Sequence, residues 1–309
     1  MSFTAEVKDE LSRVEGHCES CDIAELAALV RVCGALSFHG SGAYSIRVST
    51  ETGAVARTVI HLAHKVFDLD TSLTVRRSNL HKTRNYLIEI PEQKGLEQAL
   101  IKMGVLVLGR GLSSGIAARV VARPCCRAAY LRGAFMAGGF IADPRGDFHL
   151  EIAVTGDEFA DDLIELLDDE NITARVNRRR GSYAIYLKSF DDIARFLTVI
   201  GARRTAHAVD NVRVMKSVKN DVNRRVNAEL ANQARSTGAA ADQLALIDAV
   251  EREVGLDNLP PALAAFCEAR RAHPDLSLRD LGAAMRPPMS KSALYHRVLR
   301  LEQLLKQTK

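Results

Sequence analysis

The chain has 309 residues, 47% of them hydrophobic, and its 42 Lys and Arg residues against 38 Asp and Glu give a formal net charge of +4. This length is sufficient for two or three domains, and no apolar run is long enough for a membrane-spanning helix. The charged first residues do not resemble a signal peptide, and six cysteines are too few for a disulfide scaffold. We therefore expect a soluble cytoplasmic protein with reduced thiols and no cofactor.

The first two thirds of the chain contain an internal repeat of roughly one hundred residues. The first copy predicts, in order, a small-residue helix, a strand, a helix, two strands and a helix at Ala28–Gly40, Tyr44–Thr50, Ala54–Phe67, Thr71–Ser78, Asn85–Ile90 and Gly95–Val105. The second copy repeats this order, with its two final strands predicted as one hairpin that turns at Gly181, at Tyr130–Asp143, Asp147–Val154, Asp157–Glu170, Ile172–Ser189 and Asp191–Ala202.

Two such copies predict a pseudo-twofold α+β domain over residues 1–202, with repeats at about 22–105 and 127–202. Glycine and alanine on a helix allow two backbones to approach closely. We therefore expect the two small-residue helices to pack together as a central seam, with one sheet on either side.

The small-residue helices resemble the motif of the LAGLIDADG homing endonucleases, whose domain is a tandem of α-β-β-α-β-β-α units. The match is carried by Leu131, Gly133, Ala137 and Gly139 in the second copy, and by Leu29 and Ala35 in the first. In active members an acid at the eighth position holds a divalent metal. That position is Gly138 or Leu36 here, and the sixth position is Met136 or Gly34, so the oxygen ligands that hard cations require are missing.

The resemblance therefore implies a degenerate domain with no catalytic residues and no metal ligands. A metal-dependent DNA endonuclease remains the alternative, with Asp143 as a substitute acid. Because Asp143 precedes Pro144, a role in a turn suits it better.

Positive charge is concentrated in the last third of the chain. Residues 203–235 hold eight Lys or Arg and three Asp or Glu, and residues 258–309 hold nine Lys or Arg and four Asp or Glu. In contrast, residues 1–202 hold 24 Lys or Arg and 26 Asp or Glu. Two basic segments of this kind are typical of contact with a polyanion.

The first basic segment predicts a helical connector and linker over residues 203–240. Its polar helix, Val212–Asn232, is expected to expose five cations, which are the secondary DNA-binding candidates: Arg213, Lys216, Lys219, Arg224 and Arg225. The alternative is a solvated connector without DNA contacts. Ser236–Asp242 reads as the linker, because serine, glycine and small residues cluster there.

The second basic segment predicts an all-α helix-turn-helix domain over residues 241–309. Pro260 and Pro261 start one helix, Ser277 caps a short second one, and Pro287 and Pro288 end it. Ser290 caps the next helix, whose apolar face consists of Leu294, Val298, Leu301 and Leu305.

In helix-turn-helix domains, the N-terminal half of the second helix enters the major groove. We assign Lys291, Ser292, Tyr295 and His296, together with the cap Ser290, to base edges or nearby phosphates. Backbone contacts that position the helix are assigned to Arg286, Arg297 and Arg300. The alternative is a plain three-helix bundle.

The combination of these domains resembles the WhiA family, DNA-binding transcriptional regulators of Gram-positive bacteria associated with sporulation, differentiation and cell division. The stretches SFTAEVKDEL, CCRAAYLRGAFMAGG, NDVNRRVNAELAN and SKSALYHRVLRLEQL carry the resemblance. It implies a non-enzymatic, nucleoid-associated regulator that binds double-stranded promoter DNA mainly through its C-terminal domain. It also implies RNA polymerase and, in actinobacterial members, a WhiB-like iron–sulfur protein as partners. An alternative role for the N-terminal pair is a protein- or ligand-sensing module.

Two further groups of residues leave their roles open. Cys18 and Cys21 precede the first seam helix, and Cys125 and Cys126 precede the second, so four thiols, with His17 nearby, converge if the helices are related by a twofold axis. They are either a metal or redox site or small buried apolar residues. The hairpins carry cations that are either DNA contacts or solvated turns: Arg76, Arg77, Lys82, Arg84, Arg175, Arg178, Arg179, Arg180 and Lys188.

Overall fold

The computed structural model describes residues 2–40, 43–77, 84–179 and 181–307, so Lys82 and Arg180 lie outside the described residues. It divides into two compact units, Met1–Met215 and Lys216–Lys309. The helices of the first unit are α1 (Phe3–Leu11), α2 (Glu19–Cys33), α3 (Gly53–Phe67), α4 (Leu96–Lys102), α5 (Pro124–Gly138), α6 (Asp157–Asp169) and α7 (Phe190–Ile200). Helix α8 (Arg203–Glu253) follows, and then α9 (Pro261–Ala272), α10 (Leu278–Ala284) and α11 (Lys291–Gln307).

The first unit contains the two predicted repeats, each in the order α-β-β-α-β-β-α, with one more strand than the sequence patterns indicate. Its strands are β1 (Gly34–Phe38), β2 (Tyr44–Thr50), β3 (Ser72–Arg77), β4 (Arg84–Ile90), β5 (Leu106–Val107), β6 (Gly111–Leu112), β7 (Gly139–Ile141), β8 (Leu150–Thr155), β9 (Arg175–Arg179) and β10 (Ser182–Leu187). The two four-stranded antiparallel sheets have the equivalent orders β1-β2-β4-β3 and β7-β8-β10-β9. The short pair β5–β6 lies between the repeats in sequence. The fold is the predicted LAGLIDADG-like tandem.

The small-residue helices end earlier than the sequence predicts, and a strand begins at once. Gly34 caps α2 and Gly139 caps α5, both in extended conformations with ψ of 146° and 144°. A Cβ on either glycine would lie 2.3 Å from the carbonyl oxygen four residues earlier, that of Val30 or Phe135. The second halves of the predicted helices are therefore β1 and β7, because only glycine makes so abrupt a change from helix to strand.

The seam between α2 and α5 is confirmed. A Cβ on Gly133 would lie 2.4 Å from the carbonyl oxygen of Glu25 and 2.9 Å from the Cβ of Ala28. Seven consecutive residues of α2, from Ala24 to Val30, are buried, so the helix is covered on all sides. Small residues therefore serve here to bring two backbones together.

The structure corrects the alignment of the first seam motif by three residues. Since Gly34 and Gly139 occupy equivalent caps, the first copy starts at Leu26, and Ala28 is the counterpart of Gly133. The eighth position of the first copy is then Cys33 and the sixth is Arg31, instead of Leu36 and Gly34. Neither new residue is an acid.

The Ser236–Asp242 segment is not a flexible linker but part of α8, which is helical from Arg203 to Glu253. Three consecutive alanines, residues 239–241, favour helix and offset the cost of Gly238. The helical part of the connector prediction, Val212–Asn232, is confirmed.

In the second unit, the end of α8 and helices α9, α10 and α11 enclose one apolar core. Its buried members include Ile247, Phe266, Leu281, Leu294 and Leu301. No helix in the described part of the chain is both long and apolar enough to cross a bilayer.

Candidate nucleic-acid interface

Helices α10 and α11 are joined by a tight turn that depends on one glycine. The Met289 N–H donates to the Gly282 carbonyl at 2.8 Å. A Cβ on Gly282 would lie 2.3 Å from the carbonyl oxygen of Met289. The segment before α11 therefore folds directly onto α10, as a helix-turn-helix requires.

Side-chain caps set both helix starts, as the sequence predicts. The hydroxyl of Ser277 accepts from the N–H of Asp280 at 3.2 Å and lies 2.6 Å from its carboxylate. The hydroxyl of Ser290 accepts from the N–H of Ala293 at 3.2 Å. These bonds satisfy first-turn donors that would otherwise lack partners, and they fix where each helix begins.

Helix α11 presents two different faces. Leu294, Val298 and Leu301 are buried in the core, and Leu305 packs against it. The predicted contact residues lie on the other side: Arg286, Ser290, Lys291, Ser292, Tyr295, His296 and Arg300 are exposed, and Arg297 is half-buried. Tyr295 keeps 52% of its surface accessible, so its ring is available to a partner.

A buried arginine that the sequence analysis did not single out holds the domain together. Arg270 is fully buried, and its Nε donates to Gln243 of α8 at 3.0 Å. Its Nη1 donates to the carbonyl oxygens of His273 and Leu276 at 3.2 and 2.6 Å, which secures the loop between α9 and α10. Burial lowers the pKa of the guanidinium. The available signal was its spacing, because Arg270 continues the core stripe Leu263, Phe266, Cys267.

The five connector cations lie along α8, but they are not equivalent. Arg213 pairs with Asp191 at 3.1 Å and stacks over the Phe190 ring at 4.4 Å, so it anchors the start of α8 to α7. Arg224 pairs with Asp221 one turn away. Lys216 is half-buried, not exposed as predicted. Lys219, Arg224 and Arg225 remain exposed.

The seam contains no acid where the nuclease motif would place one. Gly138 lies against the Ala153 carbonyl oxygen, and Cys33 donates to the Leu29 carbonyl at 3.1 Å. The proposed substitute, Asp143, accepts from the Arg145 N–H at 2.9 Å and pairs with the Arg145 side chain at 2.5 Å. Asp143 therefore has the turn role.

Known protein families match this chain domain by domain. Three family models match: the WhiA N-terminal LAGLIDADG-like domain at residues 19–106, the WhiA LAGLIDADG-like domain at 127–219 and the WhiA C-terminal HTH domain at 222–305. The "Probable cell division protein WhiA" of Heliobacterium modesticaldum is 40% identical over 305 residues, covering 98% of this chain and 96% of the relative. The chain belongs to the WhiA family.

Further WhiA proteins agree in sequence and structure. The relative from Desulforamulus reducens is 39% identical over 306 residues, covering 98% of this chain and 95% of its own. Full-length DUF199/WhiA from Thermatoga maritima is similar with a TM-score of 0.62 at 26% identity, with 99% of each chain covered. An N-terminal LAGLIDADG domain of DUF199/WhiA matches with a TM-score of 0.54 at 25% identity, covering 68% of this chain and 96% of that one.

The hairpin cations of the WhiA fold whose side chains the structure describes are exposed, and two of them have partners. Arg76 and Arg77 lie on β3, whose described residues are all exposed, and Arg84 begins β4. In the second sheet, Arg175 is exposed, Arg178 pairs with Asp161 at 3.1 Å, and Lys188 lies over the Tyr186 ring at 5.4 Å. Arg179 ends β9.

The structure brings together the four thiols whose role the sequence left open. Cys18, Cys21, Cys125 and Cys126 form one group, which among the described residues does not include His17. Hydrogen bonding from Cys21 lowers the pKa of Cys18 to about 7. Burial raises the pKa of Cys126 to about 11 and raises that of Cys21 as well.

Proposed function

We propose that the chain is a sequence-specific, DNA-binding transcriptional regulator that reads promoter DNA with the N-terminal half of α11. Residues 241–309 recognise the site, and the connector over residues 203–240 adds phosphate contacts. Residues 1–202 are a scaffold without nuclease activity.

The two faces of α11 carry this proposal. Core packing uses Leu294, Val298 and Leu301, and it leaves the polar row at the start of the helix exposed and available for contact. Lys291, Ser292 and His296 are hydrogen-bonding side chains of a length suited to base edges, and they begin at the helix N-terminus, which attracts phosphate. The caps and Gly282 fix this row in place.

The family suggests the regulated processes and the partners. Relatives at about 40% identity are named as probable cell division proteins. We propose control of cell-division, sporulation or differentiation genes within the nucleoid, in cooperation with RNA polymerase and, in actinobacteria, a WhiB-like iron–sulfur protein. Chromatin immunoprecipitation of the intact protein tests the gene set.

The test of the reading helix uses DNA fragments enriched from genomic DNA by binding to the full-length protein. One good base contact is worth about 1–3 kcal/mol, so Lys291→Ala combined with His296→Ala lowers affinity at least about tenfold. Lys306→Ala is the matched control, since it removes the same charge from the exposed C-terminal half of α11. Undiminished affinity and specificity in the double variant would refute the assignment.

Two further measurements test the rest of the proposal. Binding weakens as salt rises, and Arg225→Ala reduces the magnitude of the salt slope by about one if Arg225 contacts a phosphate. Supercoiled DNA incubated with the protein and Mg²⁺ or Mn²⁺ stays intact, because the seam lacks acids to hold the metal. Metal-dependent cleavage would instead support the endonuclease alternative.

A further inference from the structure

Four cysteine sulfurs meet at one end of the seam. The Cys18 and Cys21 sulfurs are 3.4 Å apart, and those of Cys21 and Cys126 are 3.9 Å apart. All four sulfurs, including that of Cys125, lie within 4.8 Å of one another. The residues come from two segments more than one hundred positions apart, so tertiary packing alone brings the two pairs together.

The backbone explains the convergence. Cys18 is the N-cap of α2 and Cys21 lies in its first turn, while Cys125 and Cys126 follow Pro124 in the first turn of α5. The close contact at Gly133 aligns the two helices, so their starts meet. Each start presents N–H groups without intrahelical partners and the positive end of a helix dipole, and both stabilise negatively charged sulfur.

Two of the sulfur–sulfur distances fit a tetrathiolate metal site. Zinc–sulfur bonds of about 2.3 Å in a tetrahedron place neighbouring sulfurs about 3.8 Å apart. The two measured separations, 3.4 and 3.9 Å, lie on either side of this value. Neighbouring helix residues ordinarily diverge by about 100° and rarely bind one metal together. Here the sulfurs of Cys125 and Cys126 nevertheless belong to the same group.

We propose that Cys18, Cys21, Cys125 and Cys126 bind one structural Zn²⁺ that joins the starts of α2 and α5. The metal then connects the two repeats at one end of the seam. Its bonds to sulfur add to the apolar contacts between α2 and α5. A pocket of about 220 Å³ that borders Cys21 and Cys125 gives the ion a route to the sulfurs. The site is unrelated to the nuclease metal position, which lies at the other end of these helices.

A disulfide is the competing use of these thiols. One disulfide would engage only two of the sulfurs, and two separate disulfides would be needed to engage all four, whereas a single zinc ion binds all four together. Cys33 and Cys267 provide matched controls. Cys33 lies at the far end of α2, and Cys267 belongs to the core of the second unit.

The experiment measures metal in the full-length protein purified without chelators. Mass spectrometry for metals is expected to find about one zinc per chain, and Co²⁺ exchange to give the visible bands of tetrahedral cobalt with thiolate ligands. Removing the zinc with a chelator is expected to lower the unfolding temperature. Cys18→Ser and Cys125→Ser are expected to weaken zinc binding at least about tenfold, while Cys33→Ser and Cys267→Ser bind as the unchanged protein does.

Several results would overturn the proposal. These are a metal-free protein that gives no cobalt bands, iron in place of zinc, or a disulfide among the four residues in the protein as purified. Zinc retained at the original affinity in both Cys18→Ser and Cys125→Ser would do the same. The measurements on the unchanged protein decide the question even where a variant fails to fold.

Discussion

Arg132 of α5 donates two hydrogen bonds to a single carboxylate oxygen of Glu25 on α2, from Nε at 2.9 Å and from Nη2 at 2.5 Å. Both side chains are almost fully buried, with 6% and 3% of their surfaces exposed. Burial raises the pKa of Glu25, and the attraction of Arg132 opposes that rise. This ion pair crosses the seam and fixes how α2 and α5 align along their length.

Breaking this pair from one side is expected to cost more than removing it. Arg132→Met leaves a buried carboxylate without its partner and should destabilise the protein by about 3–5 kcal/mol, whereas adding Glu25→Leu should restore most of the loss. Urea unfolding of both variants measures the difference. A double variant as unstable as the single one would contradict this account.

The same variant has a predicted pH dependence. Without Arg132, the folded-state pKa of Glu25 lies further above its unfolded value, so its protonated form is favoured on folding. The loss of stability caused by Arg132→Met should therefore be smallest near pH 4. It should grow as the pH rises towards 7. If the two proteins showed the same pH dependence of stability, the Glu25 carboxylate would still have a partner in the variant.

Two glycine-to-alanine changes should act in opposite directions. At Gly133 a Cβ would lie 2.4 Å from the Glu25 backbone oxygen, so Gly133→Ala should force the seam apart and cost about 1–3 kcal/mol. Gly238 is an exposed residue of α8 whose Cβ would meet nothing within 4 Å. Gly238→Ala should stabilise by about 0.5–1 kcal/mol through helix propensity. Thermal unfolding compares them.

Neighbouring arginines of α9 offer a second matched pair. Arg270→Met leaves Gln243 and two loop carbonyls without their donor, so it should cost about 2–4 kcal/mol and weaken DNA binding. Arg271 also makes ion pairs, with Asp248 at 2.8 Å and Glu251 at 2.5 Å, but all three side chains are partly exposed. Arg271→Ala should cost less than about 1 kcal/mol. Equal losses of stability in the two variants would show that burial does not determine how much each arginine contributes.

A buried lysine should make stability rise at alkaline pH. Burial lowers the pKa of Lys8 to about 8, and the unfolded chain binds its proton up to about pH 10.5. Between these values the unfolded state holds more protons, so stability increases with pH, while below pH 8 the full penalty of the buried charge remains. Lys8→Met should remove this rise and add about 1–3 kcal/mol at pH 7. The exposed Lys94→Met is the control.

Local signals were sufficient to predict much of the fold and of helix α11. Serine caps at Ser277 and Ser290, prolines at the start of α9 and the apolar spacing from Leu294 to Leu305 all act within one or two turns, so the sequence reveals them directly. The repeat itself predicted the seam and the meeting of the four cysteines, because symmetry places equivalent residues together.

The sequence-based predictions were wrong or incomplete where tertiary contacts override the local conformational preference of the residues. Strands β1 and β7 begin with glycines that fit a small-residue helix equally well, and only sheet pairing distinguishes helix from strand there. Arg270 reads as a surface cation until Gln243 and the loop carbonyls surround it. The Ser236–Asp242 segment has a linker's composition, yet its alanines continue α8.

The contact between Gly138 and β8 limits which side chains the eighth position of the second seam motif can hold. A Cβ at this position would lie 2.3 Å from the Ala153 carbonyl oxygen and 2.8 Å from a methyl carbon of Val32. Restoring an aspartate there would demand that a strand and a helix both retreat. A single substitution at Gly138 would therefore place a carboxylate at this motif position only if the backbone around it also moved.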